Sequence, residues 1–286
     1  MILVTGSTGN VGSKLLKELS DRKVAFRALA RKPEDVERLK AQGIDAFLGD
    51  MSNIESIRPA LQGVTSVYIL SPSTPNLAEI EAAITDEAKK AGVQHIVKHS
   101  VLGADTQAIC PFTRVHAQAE NAIRALGVPY TFLRLNNFMQ NFVTSHARTI
   151  VAQNTFYEPL ADASVSHVDT RDIAVAAANV LTQTGHEGQA YDITGPEALS
   201  DTQIAEKLSA ILGRTVTYMV VPDDAMRQGL LSAGLPDWYA DSLVKLYQFY
   251  RQGGGASVTP DLEQLIGRKP RTMNAYLQEN AEAFKG

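Results

Sequence analysis

The stretch Val4-Thr5-Gly6-Ser7-Thr8-Gly9-Asn10-Val11-Gly12 decides the fold. It joins an apolar run, Ile2 to Thr5, to a helical pattern, Val11 to Ser20, in which Val11, Leu15, Leu16 and Leu19 share one face. Strand, glycine loop and helix in that order form a phosphate-binding turn. Gly6 permits the tight turn, Gly9 lets the backbone approach a pyrophosphate, and Gly12 lets helix and strand pack closely. The helix N-terminus adds amide donors and positive potential. The spacing is G-x-x-G-x-x-G rather than G-x-G-x-x-G, so the context of strand and helix carries the reading more than the glycines do.

Outward from this loop the first half alternates strand and helix. Strands are expected at Val24 to Ala30, Ile44 to Leu48, Ser66 to Leu70, His95 to His99 and Tyr130 to Arg134. Helices are expected at Pro33 to Gln42, Ile54 to Leu61, Leu77 to Ala91 and Val115 to Leu126. That rhythm predicts an α/β fold: a Rossmann-type, doubly wound parallel sheet with right-handed crossovers. After Arg134 the pattern loosens. Asn136 to Pro159 reads as helix and loop, and Val165 to Val168 and Ala190 to Ile193 as short strands around a helix from Asp172 to Leu181. A helix from Ser200 to Leu212, a strand from Val216 to Val221, a broken helical stretch from Asp223 to Gln252 and a closing helix from Thr272 to Phe284 follow. Gly253 to Gly255 reads as a mobile linker or a turn. We therefore expect a cofactor domain over residues 1–135. Residues 136–286 would return strands to the sheet and build a small, mainly helical C-terminal cap over the substrate.

Composition narrows the partners. The net charge is −4 with scattered Lys and Arg, which argues against nucleic acid and anionic membrane. One cysteine, Cys110, rules out an intrachain disulfide. No secretory leader pattern or membrane-length apolar run is present. The expectation is a cytoplasmic protein, monomer or homodimer, acting on a small molecule. No His, Cys and Asp grouping has metal-ligand spacing.

The end of the second strand chooses the cofactor. An acid there, about 20 residues past the loop, would bond a ribose 2′-hydroxyl. This chain has Arg31 and Lys32 instead, suited to a 2′-phosphate and hence to NADP(H). Asp50 and Met51 end the third strand, where Asp50 could accept from an adenine amino group or cap the next helix. Leu70, Ser71 and Pro72 end the fourth and would pass under ribose and pyrophosphate. With Gly6, Ser7, Thr8, Gly9, Asn10, Val11 and Asn137, these are the candidate cofactor residues.

Further motifs fall in a telling order: Gly49-Asp50, Gly92 to Val97 leading to Ser100, Gly127 to Arg134, Asn137 to Asn141, Val168 to Ala174, Tyr191 to Pro196, and Leu265 to Pro270. Together they resemble the NmrA-like branch of the short-chain dehydrogenase/reductase superfamily over nearly the whole chain. The resemblance implies an NADPH-dependent reductase of electrophilic acceptors such as quinones, azo dyes or triphenylmethane dyes. The alternative it implies is a non-catalytic NADP(H)-binding sensor.

One departure bears on chemistry. The superfamily's Tyr-x-x-x-Lys is missing, since none of the nine tyrosines has Lys four residues on. Where the pattern would place it stand His116 and Glu120, a pair expected to share a helix face; the triphenylmethane-dye reductases resemble this chain there. His116 is thus a candidate catalytic residue. Ser100 is another, because the superfamily resemblance implies a substrate-bonding serine at that strand end. Phe138, Met139, Asn141 and Trp238 are the candidate acceptor pocket, offering soft and aromatic surface.

Overall fold

A computed structural model describes residues 1–285. In chain order the elements are β1 (Ile2–Val4), α1 (Gly12–Asp21), β2 (Phe26–Ala30), α2 (Pro33–Ala41), β3 (Asp45–Leu48), α3 (Ile54–Leu61), β4 (Ser66–Ile69), α4 (Leu77–Lys90), β5 (His95–Val101), α5 (Pro111–Ala125) and β6 (Tyr130–Leu135). A π-helical turn (Phe142–His146) leads into α6 (Ala147–Gln153), β7 (Thr155–Glu158), β8 (Ser164–Val165), α7 (Thr170–Thr182) and β9 (Gln189–Ile193). The rest comprises β10 (Leu199–Ser200), α8 (Asp201–Leu212), β11 (Thr217–Val220), α9 (Asp223–Ser232), α10 (Asp237–Arg251), α11 (Asp261–Ile266), α12 (Met273–Glu279) and a 3₁₀ turn (Ala281–Phe284).

Residues 1–108, 113–134 and 171–192 form one compact unit. Its sheet has the order β3-β2-β1-β4-β5-β6-β9, with β1, β2, β3, β4 and β5 paired in parallel. This is the doubly wound arrangement, in which strand order reverses beside β1 and opens a crevice at the carboxyl ends. Its core is aliphatic: Leu3, Ile57, Val67, Ile69, Ile84 and Ile96 are all fully buried. On α1 the expected inner face holds, with Leu15, Leu16 and Leu19 at 3% exposure or less.

Residues 109–112, 135–170 and 193–286 form the second unit. Its core gathers Met139, Phe142, Phe156, Ile204, Leu208 and Leu277. β7 and β11 pair in parallel, and β8 pairs antiparallel with β10. Ser200 closes a capping box with Gln203 at the start of α8. Among the described residues no helix is long and apolar enough to cross a membrane.

The strand that residues 136–286 return to the sheet is β9, which with α7 belongs to the first unit. Other expectations need correction. β7 lay inside a stretch read as helix and loop; its four residues carry too short a pattern to stand out. The strand expected over Val165 to Val168 stops at Val165, and Val168 bridges Phe138 instead. α5 begins four residues before the expected Val115, with Pro111 at its first helical position, where a missing N–H costs nothing. The closing helix ends at Glu279 and resumes only as a 3₁₀ turn. Gly253 to Gly255 is a packed turn. A Cβ on Gly255 would lie 2.6 Å from the Tyr250 ring, and the Gly255 carbonyl accepts from Ser166 N at 2.9 Å.

The close approach of α1 to the first strand's loop gives a direct prediction. A Cβ on residue 12 would sit 2.1 Å from the Gly6 carbonyl oxygen. Gly12→Ala should cost about 1–3 kcal/mol of stability as overpacking and lower NADPH affinity, read by thermal melting and titration. An unchanged melting point would contradict the packing described.

Candidate active site

At the carboxyl edge of the first unit's sheet the glycine loop borders a cleft of about 300 Å³. Gly6 adopts φ +58°, and a Cβ there would lie 2.6 Å from the Leu70 carbonyl oxygen. Thr5 ties the loop down: its Oγ1 accepts from Leu70 N at 2.8 Å and donates to Leu70 O at 3.1 Å. Ser7 Oγ is spent on the Leu29 carbonyl at 2.7 Å, so Ser7 shapes the loop with its side chain. Gly6, Ser7, Thr8, Gly9, Arg31, Asp50, Met51, Leu70, Ser71 and Pro72 all line this cleft, as do Leu29, Ala30 and Gly49. Leu29 and Ala30 are apolar and carried no chemical signal in the sequence, whereas Gly49 stood beside Asp50 in a quoted motif.

Three candidate cofactor residues do not line the cleft. Val11 is 2% exposed and caps α1 from inside. Asn10 is exposed and accepts from Lys14 Nζ through its backbone and its side chain. Lys32 is the exposed N-cap residue of α2. A fourth, Asn137, belongs to the second unit. Asp50 does not cap α3, whose N-cap is Asn53. Its Oδ1 instead accepts from Ser52 N at 2.9 Å and Ser52 Oγ at 2.7 Å. Those bonds, with the Arg31 charge nearby, hold its carboxyl below the usual range.

Beneath the cleft runs a buried polar chain. Ser71 Oγ donates to Glu81 Oε1, and Glu81 Oε2 accepts from Lys98 Nζ at 2.5 Å. Both charged side chains are fully buried. Lys98 also donates to His116 Nδ1 at 3.1 Å. An ammonium has no acceptor capacity, so Nδ1 is the bare nitrogen and Nε2 carries the hydrogen. That Nε2 meets Ser73 Oγ at 3.3 Å. Burial, then the charge on Lys98, holds the His116 imidazolium well below its ordinary pKa. His116 is therefore neutral, its tautomer set by Lys98, and it holds no surplus proton. Alongside, Tyr68 OH bonds His99 Nδ1 at 2.9 Å; burial pushes the tyrosine up and His99 down to about 3.

His116 and Glu120 do not act as a pair. Glu120 accepts from Ser100 Oγ at 2.7 Å and from Arg134 Nη2 at 2.6 Å. Ser100 is fully buried. Its hydroxyl fastens β5 to α5 rather than facing a substrate, which corrects the expectation drawn for it.

In the second unit the expected pocket residues separate. Met139 is fully buried among Phe142, Ile150 and Phe156, so it is core and not pocket wall. Phe138 is half-buried. Trp238 stands edge-on to Phe112 at 5.4 Å. Asn141 Nδ2 donates to Asn137 Oδ1 at 2.6 Å, and both line a recess of about 150 Å³ with Tyr239, Tyr247 and Tyr250. Trp238 does not line that recess. Among the described residues no group of three or more His, Cys, Asp or Glu is placed to hold a metal ion.

The chain is similar to known proteins along its whole length. The model of the NmrA-like family matches residues 1–277. The NAD(P)H azoreductase of Xenophilus azovorans is 34% identical over 284 residues, covering 99% of each chain. The (4-alkanoyl-5-oxo-2,5-dihydrofuran-3-yl)methyl phosphate reductase of Streptomyces griseus is 36% identical over 287 residues, again covering 99% of each. Among solved structures, the NADPH-dependent quinone oxidoreductase of Escherichia coli complexed with NADPH superposes with TM-score 0.88 at 30% identity, over 99% of this chain and 100% of the other.

Buried neutral imidazoles make acid stability testable. His99 is held to about 3 and His167 to about 4, and His116 lies well below 6.5. Unfolded, each binds a proton near 6.5, so the unfolded state carries more protons below that pH. The stability they provide is complete above 6.5 and lost as pH falls, by about 1.4 kcal/mol per pH unit for each. Denaturant unfolding across this range should show that slope, and His116→Gln should flatten it by one imidazole. A slope unchanged in His116→Gln would show that His116 is already protonated in the fold.

Proposed function

The chain belongs to the NmrA-like family, and from that premise we propose that it is an NADPH-dependent reductase of electrophilic small molecules: quinones, azo compounds and triphenylmethane-type dyes. The cleft fits the cofactor on its own terms. Its glycine loop leaves no room for a Cβ at residues 6 or 12, which keeps bare backbone at the α1 N-terminus, where a pyrophosphate is favoured. Arg31 lines the cleft at the end of β2, where an NAD-preferring site would carry an acid. Its guanidinium would pair the 2′-phosphate, and Leu70, Ser71 and Pro72 would hold the ribose and pyrophosphate. When bound, NADPH supplies a hydride from its nicotinamide.

The observation that selects the acceptor class is the state of His116. Reducing an ordinary ketone benefits from an acid that protonates the oxygen as hydride arrives. Here the Tyr-x-x-x-Lys acid is missing, and Lys98 and burial keep His116 neutral. Acceptors electrophilic enough to take hydride first, with the proton following from water, need no such acid. His116 is thus a positioning residue, holding Ser73 through Nε2–H. We propose a cytoplasmic location, which a free, buried Cys110 supports, and a monomer or homodimer.

NADPH consumption against a panel of quinones, azo dyes and triphenylmethane dyes tests the reading. At least one class should be reduced, and simple aliphatic ketones should not. If NADPH binds but no panel member consumes it, the chain is a sensor and the reductase reading fails. Cofactor choice has its own test. Arg31→Ala should weaken NADPH binding by about 10- to 100-fold, the scale of a hydrogen-bonded charge pair, and leave NADH affinity nearly unchanged. Equal affinities for the two cofactors in the parent protein would refute the role given to Arg31.

A further inference from the structure

The recess of about 150 Å³ in the second unit takes in Asn137 and Asn141 and also carries acids that the chemistry above does not use. Two acids line it, Glu158 at the end of β7 and Asp201 at the first residue of α8. Its walls are aromatic, from Phe142, Tyr239, Tyr247 and Tyr250. Ser145, which is exposed, also lines it, so the recess is reached from solvent. Asp201 is only 2% exposed, yet its Oδ2 has no hydrogen-bond partner. Glu158 is held by the Tyr247 hydroxyl and by His146, whose Nε2 lies 3.0 Å from Oε1, yet its buried Oε2 makes no hydrogen bond of ordinary geometry. A buried acceptor without a donor is unfavourable, and no Lys or Arg lines this recess to relieve it.

The donor that fits can be named by its chemistry. A metal ion is a poor candidate, because no three ligating groups converge here among the described residues. Water would meet the two oxygens but would gain nothing from four aromatic walls. A cation with several N–H groups answers both features, since it neutralises buried carboxylate charge and is attracted to tyrosine faces. We propose that this recess binds a small organic cation, an amidinium or primary ammonium on an apolar stem, with its N–H groups donating to Glu158 Oε2 and Asp201 Oδ2. This goes beyond the reductase reading and holds whether or not the chain turns over NADPH.

The site carries a proton linkage. Burial, and then the Glu158 charge, pushes Asp201 up to about 8, so without a ligand its carboxyl is protonated at neutral pH. A cation must draw that proton off, and its binding should tighten as pH rises through about 8. The other groups around Asp201 do not mimic this. Burial raises Tyr218 and Tyr247 far above that range. His167, deeper in the recess, is held to about 4; His146 is engaged with Glu158.

Calorimetry with benzamidinium and its neutral isostere benzamide tests the proposal on the full chain. Benzamidinium should bind at least about tenfold more tightly, as expected for bonds to charged groups, and more tightly at higher pH. Asp201→Asn and Glu158→Gln should each weaken it by about tenfold or more, and Asp201→Asn should abolish the pH dependence. Asp201→Asn replaces a carboxyl that is neutral without ligand by a neutral amide of the same shape, so its melting point should not fall, and unchanged NADPH affinity confirms an intact fold. The proposal is overturned if benzamide binds equally well, if folded variants bind benzamidinium as the parent does, or if neither probe binds and the recess holds only water.

Discussion

The carbonyl oxygen of Gly6 stands where a side chain on residue 12 would begin, and the cofactor cleft depends on that contact. Because no Cβ intervenes, the first turn of α1 lies against the loop leaving β1. Thr5 then bonds the backbone of Leu70 in both directions, which sets the loop against the end of β4. Ser7 does the same toward β2. These bonds use side chains to fix backbone, and the cleft they shape is lined by the loop and by Arg31.

Beneath that surface lies a choice about protons. Lys98 and Glu81 form an ion pair with no exposure to solvent. Such a pair adds little net stability over an apolar pair, but losing one partner strands the other, so its value is in specifying geometry. Here it reaches two ways, to Ser71 on the cofactor cleft and to His116 on α5. The lysine's charge fixes the imidazole's tautomer and disfavours the imidazolium. A reductase built this way leaves the hydride to the cofactor and the proton to solvent, which suits acceptors with low-lying empty orbitals.

Much of this was legible in the sequence. The first eleven elements follow from apolar periodicity and turn residues, and the glycine loop with Arg31 and Asp50 named the cleft directly. What stayed hidden has identifiable causes. Ser100, His116 and Glu120 carry the marks of catalytic side chains, but only packing reveals that Ser100 is locked to Glu120 and His116 to Lys98. Met139 reads as either pocket or core, and an apolar side chain has no polar signature to tell them apart. Lys98 and Glu81 sit 17 positions apart and signal nothing until the fold joins them. The acidic recess is built from β7, a strand too short to read, and the first turn of α8.

The central claim is hydride transfer to carbon or nitrogen without an enzyme-borne acid. Single-turnover reduction of a triphenylmethane dye with NADPH deuterated at the transferring position tests it most directly. The account predicts a leuco product carrying one non-exchangeable deuterium, formed more slowly than with unlabelled NADPH, at a rate that His116→Gln changes only modestly. A product without label, or a bound cofactor that keeps its deuterium with every acceptor, would contradict it.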